Sequence, residues 1–351
     1  MSDFSITVGI PTFNRPEALL RRLNELIHFS DQIKKVIVCD NSDLPHEAAR
    51  QICVAQPGWH YEKNPYNIGF GPNFLKAISL SEGTSHFWVR GDDDPITSSQ
   101  LDTVLLSQLK KDEFLILDSS AGTPFLGSGL EDFCRHFRRV QVMGWVSMLI
   151  IPCELAKQAL TTGYWGVSTG FPHFSLVIGM FLKNPQLKFR VTPFVFSISE
   201  FRDVDEKSGQ RWAFFNLCIK GFSRTAETIP DPRLRRIYIR EWRNSQSLRN
   251  VKKIVAMKIG TIRSEPISFS TLSPLLSIDN INRVPLFAIL YLSSKIPRGL
   301  FQIAVALWSG TQSKAQLKKL NLTMLQPDQS FSQRLANLRK ISPEKIITAV
   351  Y

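Results

Sequence analysis

The chain has 351 residues, of which 43% are hydrophobic and 21% charged, so it can bury a full core and is long for one compact domain. Its five cysteines are scattered and form no C-x-x-C pair, which argues against a disulfide framework or a cysteine zinc site. The first residues lack the basic and apolar regions of a signal peptide. We therefore expect a cytoplasmic protein.

The positive charge is confined to one part of the chain. Residues 201–351 contain 25 Lys and Arg against 10 Asp and Glu, whereas residues 1–200 contain 18 against 20. Such a basic region suits an anionic membrane surface, a phosphorylated acceptor or a nucleic acid, and a solvated basic helical surface is an equal alternative. Nucleic acid is the weakest of these hypotheses, because no base-stacking motif accompanies the charge.

Short apolar runs alternate with helical patterns over the first 120 residues. The pattern predicts helices from residue 16, at 47–54 and at 73–80, and strands at 5–10, 35–39, 59–62, 86–89 and 114–117. Alternating strands and helices indicate a parallel sheet covered by helices on both faces. Ligands of such sheets bind beyond the carboxyl ends of the strands.

Polar loops follow the first four predicted strands, at residues 11–15, 40–43, 64–73 and 91–95. Each has a purely structural interpretation, with Asn14 and Asn73 as helix N-caps, Pro16 as a helix-start proline and Gly69 as a turn residue. Four such loops in succession would converge on one edge of the sheet. Their conjunction favours a binding site over four solvated turns.

The last of these loops contains three adjacent aspartates, Asp92, Asp93 and Asp94. Adjacent carboxylates repel one another, so they are expected at a strand end mainly where a divalent cation or an arginine cluster neutralises them. A metal with few protein ligands indicates a phosphate-bearing substrate. Magnesium suits this site because it keeps waters and needs only one or two carboxylates besides the phosphates.

Four ordered segments resemble the family 2 glycosyltransferases, which have the GT-A fold. They read VGIPTFNR at 8–15, VIVCDNS at 36–42, NIGFGPNF at 67–74 and FWVRGDDD at 87–94. The resemblance covers residues 5–120 well and 140–200 loosely. It implies a nucleotide-binding α/β sheet with helices on both faces.

The resemblance also implies roles for individual residues. Asp40 would accept a hydrogen bond from the nucleotide base, while Asp92 and Asp94 would hold Mg²⁺ or Mn²⁺ as a D-x-D element, with Asp94 the more direct ligand. The implied donor-nucleotide site consists of Pro11, Thr12, Asn14, Arg15, Asp40, Asn67, Gly69, Asn73, Asp92 and Asp93.

Two positions depart from the family pattern. Pro72 stands where the family often has an arginine, so Arg15 or Arg90 would have to supply that charge. His173 stands where we would place the catalytic carboxylate, and a largely neutral imidazole can act as general base near pH 7. A helix-start histidine with a structural hydrogen bond is the equal alternative, and Glu200 is the second choice for the base.

Trp165 lies between glycines just before that position. Its ring could stack on an acceptor sugar, but burial statistics of tryptophan favour a core position, which is our prediction.

The C-terminal region, 211–351, is predicted to be mostly helical and basic, with a long helix at 232–259. Two apolar runs, 284–292 and 300–308, have nine residues each, well short of the roughly 20 that span a bilayer. We expect no transmembrane helix. The region could contact an anionic membrane from the inner face, bind the acceptor, or act as a helical cap or subunit interface, which we favour slightly.

These observations predict a GT-A-like domain over residues 1–210, followed by the helical region. The family resemblance implies a metal-dependent, inverting glycosyltransferase that moves a sugar from a nucleoside diphosphate sugar to a saccharide or lipid-linked acceptor hydroxyl. It also implies a role in polysaccharide or lipid-linked oligosaccharide biosynthesis. A non-catalytic nucleotide-binding or scaffold protein of the same fold is one alternative. A nucleotidyltransferase is another, although the loop at 11–15 lacks the glycines expected of that class.

Overall fold

The computed structural model describes residues 4–118, 123–193, 216–259, 272–275, 291–292, 294–310 and 329–339. Contacts divide the chain into two compact units, one of Met1–Arg211 with Gly221–Glu241 and one of Trp212–Lys220 with Trp242–Tyr351. All of the residues discussed below as a candidate site belong to the first unit.

The first unit contains eight described strands: β1 (Ile6–Thr12), β2 (Lys35–Asp40), β3 (Trp59–Lys63), β4 (His86–Val89), β5 (Glu113–Asp118), β6 (Phe125–Ser128), β7 (Leu149–Pro152) and β8 (Lys188–Pro193). Its helices up to β8 are α1 (Pro16–Ile27), α2 (Glu47–Ala55), α3 (Phe70–Ser79), α4 (Ser98–Leu106), α5 (Gly129–Arg135), α6 (Phe137–Val140), α7 (Cys153–Gln158), α8 (Leu160–Trp165) and α9 (Pro172–Lys183).

The strands form one mixed sheet in the order β3-β2-β1-β4-β7-β5-β8-β6. Strands β1 to β4 are mutually parallel, as the sequence predicts, and β5 pairs with β8 in parallel. The expectation of a wholly parallel sheet is wrong, because β7 runs antiparallel between β4 and β5, and β6 runs antiparallel to β8. The predicted α/β fold class is confirmed.

The predicted helix starts were only partly correct. Pro16 occupies the first turn of α1, as expected. Asn14 is not the N-cap: it has a φ of 54°, and Arg15 takes the cap position. Helix α3 begins at Phe70 after Gly69, whose φ of 83° favours glycine, so Asn73 lies inside the helix.

The hydrophobic core lies against the sheet. One cluster of buried residues joins β1, β2 and β4 to α1 and α4, with Val8, Val36, Trp88, Leu23 and Leu101 among its members. The apolar runs that predicted these strands are therefore the buried layer that fixes where each strand ends. The described cysteines Cys39, Cys53, Cys134 and Cys153 are free and buried, as expected for a chain without a disulfide framework.

Helices also dominate the described residues after β8. They are α10 (Phe222–Thr225), α11 (Pro232–Ile259), α12 (Arg298–Ser309) and α13 (Phe331–Arg339), of which α11 coincides with the predicted helix. The apolar run at 300–308 lies in α12, and most of the run at 284–292 lies outside the described residues. In the described ranges no helix has the length and apolar character needed to cross a membrane.

Candidate functional site

The polar loops after β1 to β4 meet at one edge of the sheet, because these four strands are parallel. Thr12 and Asp40 are register partners at the ends of β1 and β2. Backbone hydrogen bonds continue past the strand ends, from Asn41 N to Thr12 O at 3.0 Å and from Asn64 N to Asp40 O at 2.8 Å. On the other side of β1, Arg90 N donates to Gly9 O at 2.8 Å. The loops are thus anchored directly to the buried strands.

Two residues of the first loop contact the acidic loop. Thr12 Oγ1 donates to Asp92 Oδ2 at 2.6 Å. The Arg15 guanidinium contacts Asp92 Oδ1 at 3.0 Å and Asp93 Oδ2 at 2.9 Å. Residues separated by about eighty positions therefore form one charged cluster, which contains four of the predicted donor-site residues.

Asp94 is held by other partners. Its Oδ2 accepts a hydrogen bond from Gly91 N at 3.0 Å and another from the Ser147 hydroxyl. Ser147 is buried and directly precedes the turn into β7, the antiparallel strand inserted beside β4. No local pattern pointed to Ser147, because its approach to Asp94 depends on that insertion.

Burial perturbs the first two aspartates. It raises the pKa of Asp92 to about 6, helped by the negative charge of Asp93 and opposed by Thr12 and Arg15. Burial also raises the pKa of Asp93, with Asp94 as the next contribution and Arg15 in opposition. Arg15 therefore offsets the effect of burial only in part, and an added cation would further stabilise the ionised carboxylates.

A second arginine lies beneath the acidic loop. Arg90 is fully buried, stacks over Trp88 with 5.0 Å from Cζ to the ring centroid, and donates to the Pro95 carbonyl. Its Nε and Nη1 have no hydrogen-bond partner among the described residues. Burial lowers the pKa of Arg90 to about 10, while Asp94 opposes that effect. Arg90 thereby ties both ends of the acidic loop to the core.

The carboxylate oxygens at this edge fit a hard divalent cation such as Mg²⁺. Among the described residues, no three His, Cys, Asp or Glu side chains converge into a complete protein-only metal site. A cation shared with substrate phosphates needs only one or two carboxylates. Burial, followed by the negative charge of Asp93, raises the pKa of Asp92, and a cation bound there would oppose both effects.

Asp40, the predicted base-binding residue, is fully buried. Its Oδ1 accepts from Ser42 N at 2.8 Å, and its Oδ2 accepts from the Tyr61 hydroxyl. Tyr61 in turn accepts from His46 N at 2.7 Å, while Ser42 Oγ lies 2.9 Å from His46 Nε2. Both carboxylate oxygens of Asp40 are thus engaged by the protein. The sequence analysis did not identify this network.

Asn14 lies on the open side of the same network. Its side chain exchanges hydrogen bonds with Asp43, from Nδ2 to Oδ2 at 2.9 Å and from Asp43 N to Oδ1 at 3.1 Å. Its backbone N donates to Ser42 Oγ at 2.7 Å. Asn14 is exposed, so it can also meet a ligand, whereas Pro11 is buried within β1.

A chain of asparagines joins the second and third loops. Asn64 Nδ2 donates to Asn41 Oδ1 and to Asn73 Oδ1, both at 2.7 Å, and Asn73 Nδ2 donates to Cys39 O at 2.7 Å. All three asparagines are buried. Asn73 therefore braces the loops from inside. The sequence analysis did not identify Asn41 and Asn64 as site residues, although each directly follows a strand.

Asn67 and Gly69 form the exposed rim of this loop. Asn67 Oδ1 accepts from Gly69 N at 2.8 Å, and Gly69 O accepts from Asn41 Nδ2 at 3.2 Å. These contacts hold Gly69 in its positive-φ conformation, directly before the first turn of α3. A helix N-terminus oriented in this way favours an anion.

His173 lies apart from the charged cluster, in the first turn of α9. It is 2% exposed, and its ring centroid lies 5.7 Å from that of Phe171, 5.4 Å from Phe174 and 6.4 Å from Phe74. Neither ring nitrogen makes a regular hydrogen bond within the described residues. Burial lowers the pKa of His173 to about 3, and interaction with the Met143 backbone opposes this only weakly. The alternative base, Glu200, lies outside the described residues.

Trp165 is 78% exposed, so the prediction of a core tryptophan is wrong. Gly163 of α8 and Gly166 of the following turn lie on either side of Tyr164 and Trp165, and both glycines face the core. Their burial turns the intervening aromatic side chains toward solvent.

The polar loops at the carboxyl edge of the sheet lie where the ligands of open α/β sheets bind. Residues 7–152 match the sequence model of glycosyl transferase family 2, and this match supports a transferase enzyme. This confirms the family resemblance drawn from the four loops. No match was found among curated protein sequences.

Similar solved structures include two glycosyltransferases. Residues 1–349 of S. aureus TarS in complex with UDP-GlcNAc are 11% identical, with a TM-score of 0.46 over 97% of this chain and 91% of that one. Mannosyl-3-phosphoglycerate synthase from Rubrobacter xylanophilus is 13% identical, with a TM-score of 0.36 over 55% of this chain and 66% of that one.

Proposed function

We propose that this enzyme transfers a sugar from a nucleoside diphosphate sugar to an acceptor hydroxyl, with inversion at the anomeric carbon and with the help of Mg²⁺ or Mn²⁺. One observation carries the proposal: Thr12 and Arg15 contact Asp92, which joins the loop after β1 to the acidic loop. The Arg15 guanidinium and the carboxylates thus lie together at the carboxyl edge of a parallel sheet, where ligands of such sheets bind, and this supports a site for a diphosphate.

Asp92 and Asp94 are the residues that would hold the metal. When bound, the metal would neutralise the diphosphate and so stabilise the charge that develops on the leaving nucleoside diphosphate. Arg15, on the same cluster, supplies a positive charge that can move from the carboxylates to a phosphate oxygen. This contact would replace the arginine that is missing at Pro72.

The donor nucleotide would occupy the groove between the loops after β1 to β3. Asn14, Asn67 and Gly69 lie on its accessible side, whereas Asp40 and Asn73 are buried below it. We propose that the accessible residues contact the nucleotide. Asp40 then acts through Tyr61 and Ser42, or meets the base after Tyr61 rotates away from it.

The acceptor hydroxyl must lose its proton as its oxygen bonds to the anomeric carbon. His173 stays our proposed base for that proton, on the basis of its place in the first turn of α9. Both ring nitrogens are buried, so the role requires the ring to become exposed when the acceptor binds. Burial lowers the pKa of His173 to about 3, which makes the buried imidazole a weak base, so exposure of the ring must also bring its pKa back toward the working pH.

We further propose a saccharide or a lipid-linked saccharide as acceptor, in polysaccharide or lipid-linked oligosaccharide assembly. The basic surface of α11 supports contact with an anionic membrane, since Arg235, Arg236 and Arg240 are exposed there. Arg240 Nε lies 2.9 Å from Glu241 Oε1, so the net positive charge of this surface is smaller than its number of arginines.

The deciding experiment is calorimetric titration with UDP, GDP, CDP and dTDP, each with and without Mn²⁺. We expect at least one of these nucleotides to bind in a metal-dependent way. Asp94→Asn should abolish the metal dependence, and Asp102→Asn, an exposed aspartate on α4, should bind like the wild type. Binding that ignores both the metal and Asp94 would refute the metal site.

The same preparation separates the alternatives. Metal-dependent nucleotide binding without turnover of any nucleotide sugar would support a non-catalytic nucleotide-binding protein. Release of pyrophosphate from a nucleoside triphosphate and a sugar phosphate would instead support a nucleotidyltransferase.

A further inference from the structure

Two adjacent aromatic side chains stand exposed beside the proposed donor groove. Trp165 is 78% exposed and Tyr164 is 47% exposed, at the carboxyl end of α8. We name these two side chains the aromatic platform. Single exposed apolar side chains are normal, whereas two adjacent exposed aromatic rings form a joint surface on which a ligand can stack.

Packing of the flanking glycines explains how the platform is held. A Cβ on Gly163 would lie 2.8 Å from Leu75 Cδ2 of α3, and a Cβ on Gly166 would lie 2.2 Å from Ser175 Oγ of α9. The backbone of α8 is therefore pressed against α3 and α9 at two points one turn apart. Tyr164 and Trp165, between those points, are forced to face outward on a rigid support.

The platform adjoins the donor groove. A Cβ added to Gly71, in the first turn of α3, would lie 3.4 Å from Val167 Cγ1 and 3.4 Å from Pro172 Cγ. Val167 lies in the turn that directly follows Trp165, and Pro172 opens the helix that carries His173. One short segment thus connects the platform, the proposed base and the loop proposed to hold the nucleotide.

The chemistry of the segment indicates its ligand. Residues 158–171, which include the platform and its neighbours in the sequence, contain no Asp, Glu, Lys or Arg. The exposed residues beside the platform, Thr161 and Ser168, carry hydroxyl groups. A nucleic acid or another polyanion would require basic side chains. A sugar ring instead offers a C–H face for an aromatic ring and hydroxyls for neutral polar groups.

We infer that the aromatic platform of Tyr164 and Trp165 is the acceptor subsite, where a neutral sugar ring of the acceptor stacks on Trp165. This inference rests on the proposed function, since it names the acceptor for the same site. It orients the acceptor beside the first turn of α9, where the proposed base lies.

The test uses the full chain labelled with 5-fluorotryptophan, whose Trp165 resonance is assigned by its absence in Trp165→Phe. The probes are neutral oligosaccharides of glucose, galactose, mannose, xylose and N-acetylglucosamine. We expect at least one to shift the Trp165 resonance. Trp165→Ala should weaken its binding about tenfold, whereas Trp165→Phe should retain most of it, because an aromatic face is kept.

Two controls make the result specific. Leu106→Ala removes another exposed apolar side chain, which is 80% exposed on α4, and should leave saccharide binding unchanged. Nucleoside diphosphate binding should be equal in the wild type and in Trp165→Ala. If no oligosaccharide shifts the Trp165 resonance while the nucleotide still binds, the subsite is refuted and the proposed function stands; if no nucleotide binds, the proposed function itself fails.

Other occupants give different results. Loss of a dimer in sedimentation of Trp165→Ala would assign the platform to a subunit interface. A Trp165 shift caused by vesicles of anionic phospholipid, without any saccharide, would assign it to a membrane surface. Either result would overturn the acceptor subsite.

Discussion

Arg15 Nη1 lies 3.0 Å from Asp92 Oδ1, across the gap between the loops after β1 and β4. Arg15 is the N-cap of α1 but does not cap the helix with its side chain, which is free to reach the acidic loop. Its guanidinium therefore contacts the carboxylates of Asp92 and Asp93. Under the proposed function, a metal bound by Asp92 would compete with Arg15 for the same carboxylate.

This relationship predicts opposite effects for Arg15→Gln on two ligands. Mn²⁺ alone should bind more tightly, by about threefold to tenfold, because a competing positive charge is removed from the carboxylates. The nucleoside diphosphate should bind more weakly, because its phosphates lose a cationic partner. Isothermal titration of each ligand separately measures both effects.

Arg50→Gln is the matched control for Arg15→Gln. Arg50 forms an exposed ion pair with Glu47 on α2, at 2.7 Å, and is not part of the acidic cluster. Equal effects of the two substitutions on Mn²⁺ would show that Arg15 acts only through net charge.

The raised pKa of Asp92 predicts how the stability of the folded protein depends on pH. Its pKa is raised from 3.8 to about 6, so between these values the folded protein binds more protons than the unfolded chain. Stability must therefore fall as the pH rises through this window. Asp92→Asn should remove that loss, so its advantage over the wild type in urea unfolding should grow by about 2 kcal/mol from pH 4 to pH 7.

The substitution Thr12→Val tests the direction of this pH effect. Thr12→Val removes a hydrogen bond that favours ionised Asp92, so the window should move to higher pH. Mn²⁺ affinity of the wild type should rise with pH over the same window, since the proton and the metal compete for the carboxylate. A Mn²⁺ affinity that is independent of pH would argue against Asp92 as a ligand.

The first half of the sheet could be predicted because each loop follows a buried apolar strand in a βα unit. Strand β7 could not, since its pairing of Ile150 with Trp88 joins distant segments and reverses direction. The approach of Ser147 to Asp94 was hidden for the same reason. Local patterns reveal where a strand ends, but not which strand is inserted next to it.

The site residues divide in a similar way. The position of Asp40 followed from its strand, but its burial depends on Tyr61, which lies one strand further along the sheet and is paired with Val38. The exposure of Trp165 depends on contacts of Gly163 and Gly166 with other helices. Burial statistics for tryptophan do not contain that information.

The contact between Tyr61 and Asp40 predicts a loss of stability in Tyr61→Phe. The substitution leaves Asp40 with one partner fewer in a buried site and deprives His46 N of its acceptor. We expect a loss of about 1–3 kcal/mol in the free energy of unfolding. Tyr66→Phe, at a residue that is 69% exposed, is the control and should be nearly neutral. A change in the preference of Tyr61→Phe among UDP, GDP, CDP and dTDP would indicate that Asp40, the partner of Tyr61, takes part in recognition of the nucleotide base.

His173→Phe distinguishes a catalytic from a packing role for His173. Phenylalanine suits the surrounding aromatic rings and buries no unpartnered nitrogen, so the folded state should be at least as stable at pH 7. Because the pKa of His173 falls from 6.5 to about 3 on folding, the unfolded chain takes up a proton first as the pH drops. The variant should therefore lose less stability than the wild type between pH 6.5 and pH 3. If His173 is the base, the same well-folded variant should bind nucleotide normally and transfer no sugar; unchanged turnover would assign His173 to packing alone.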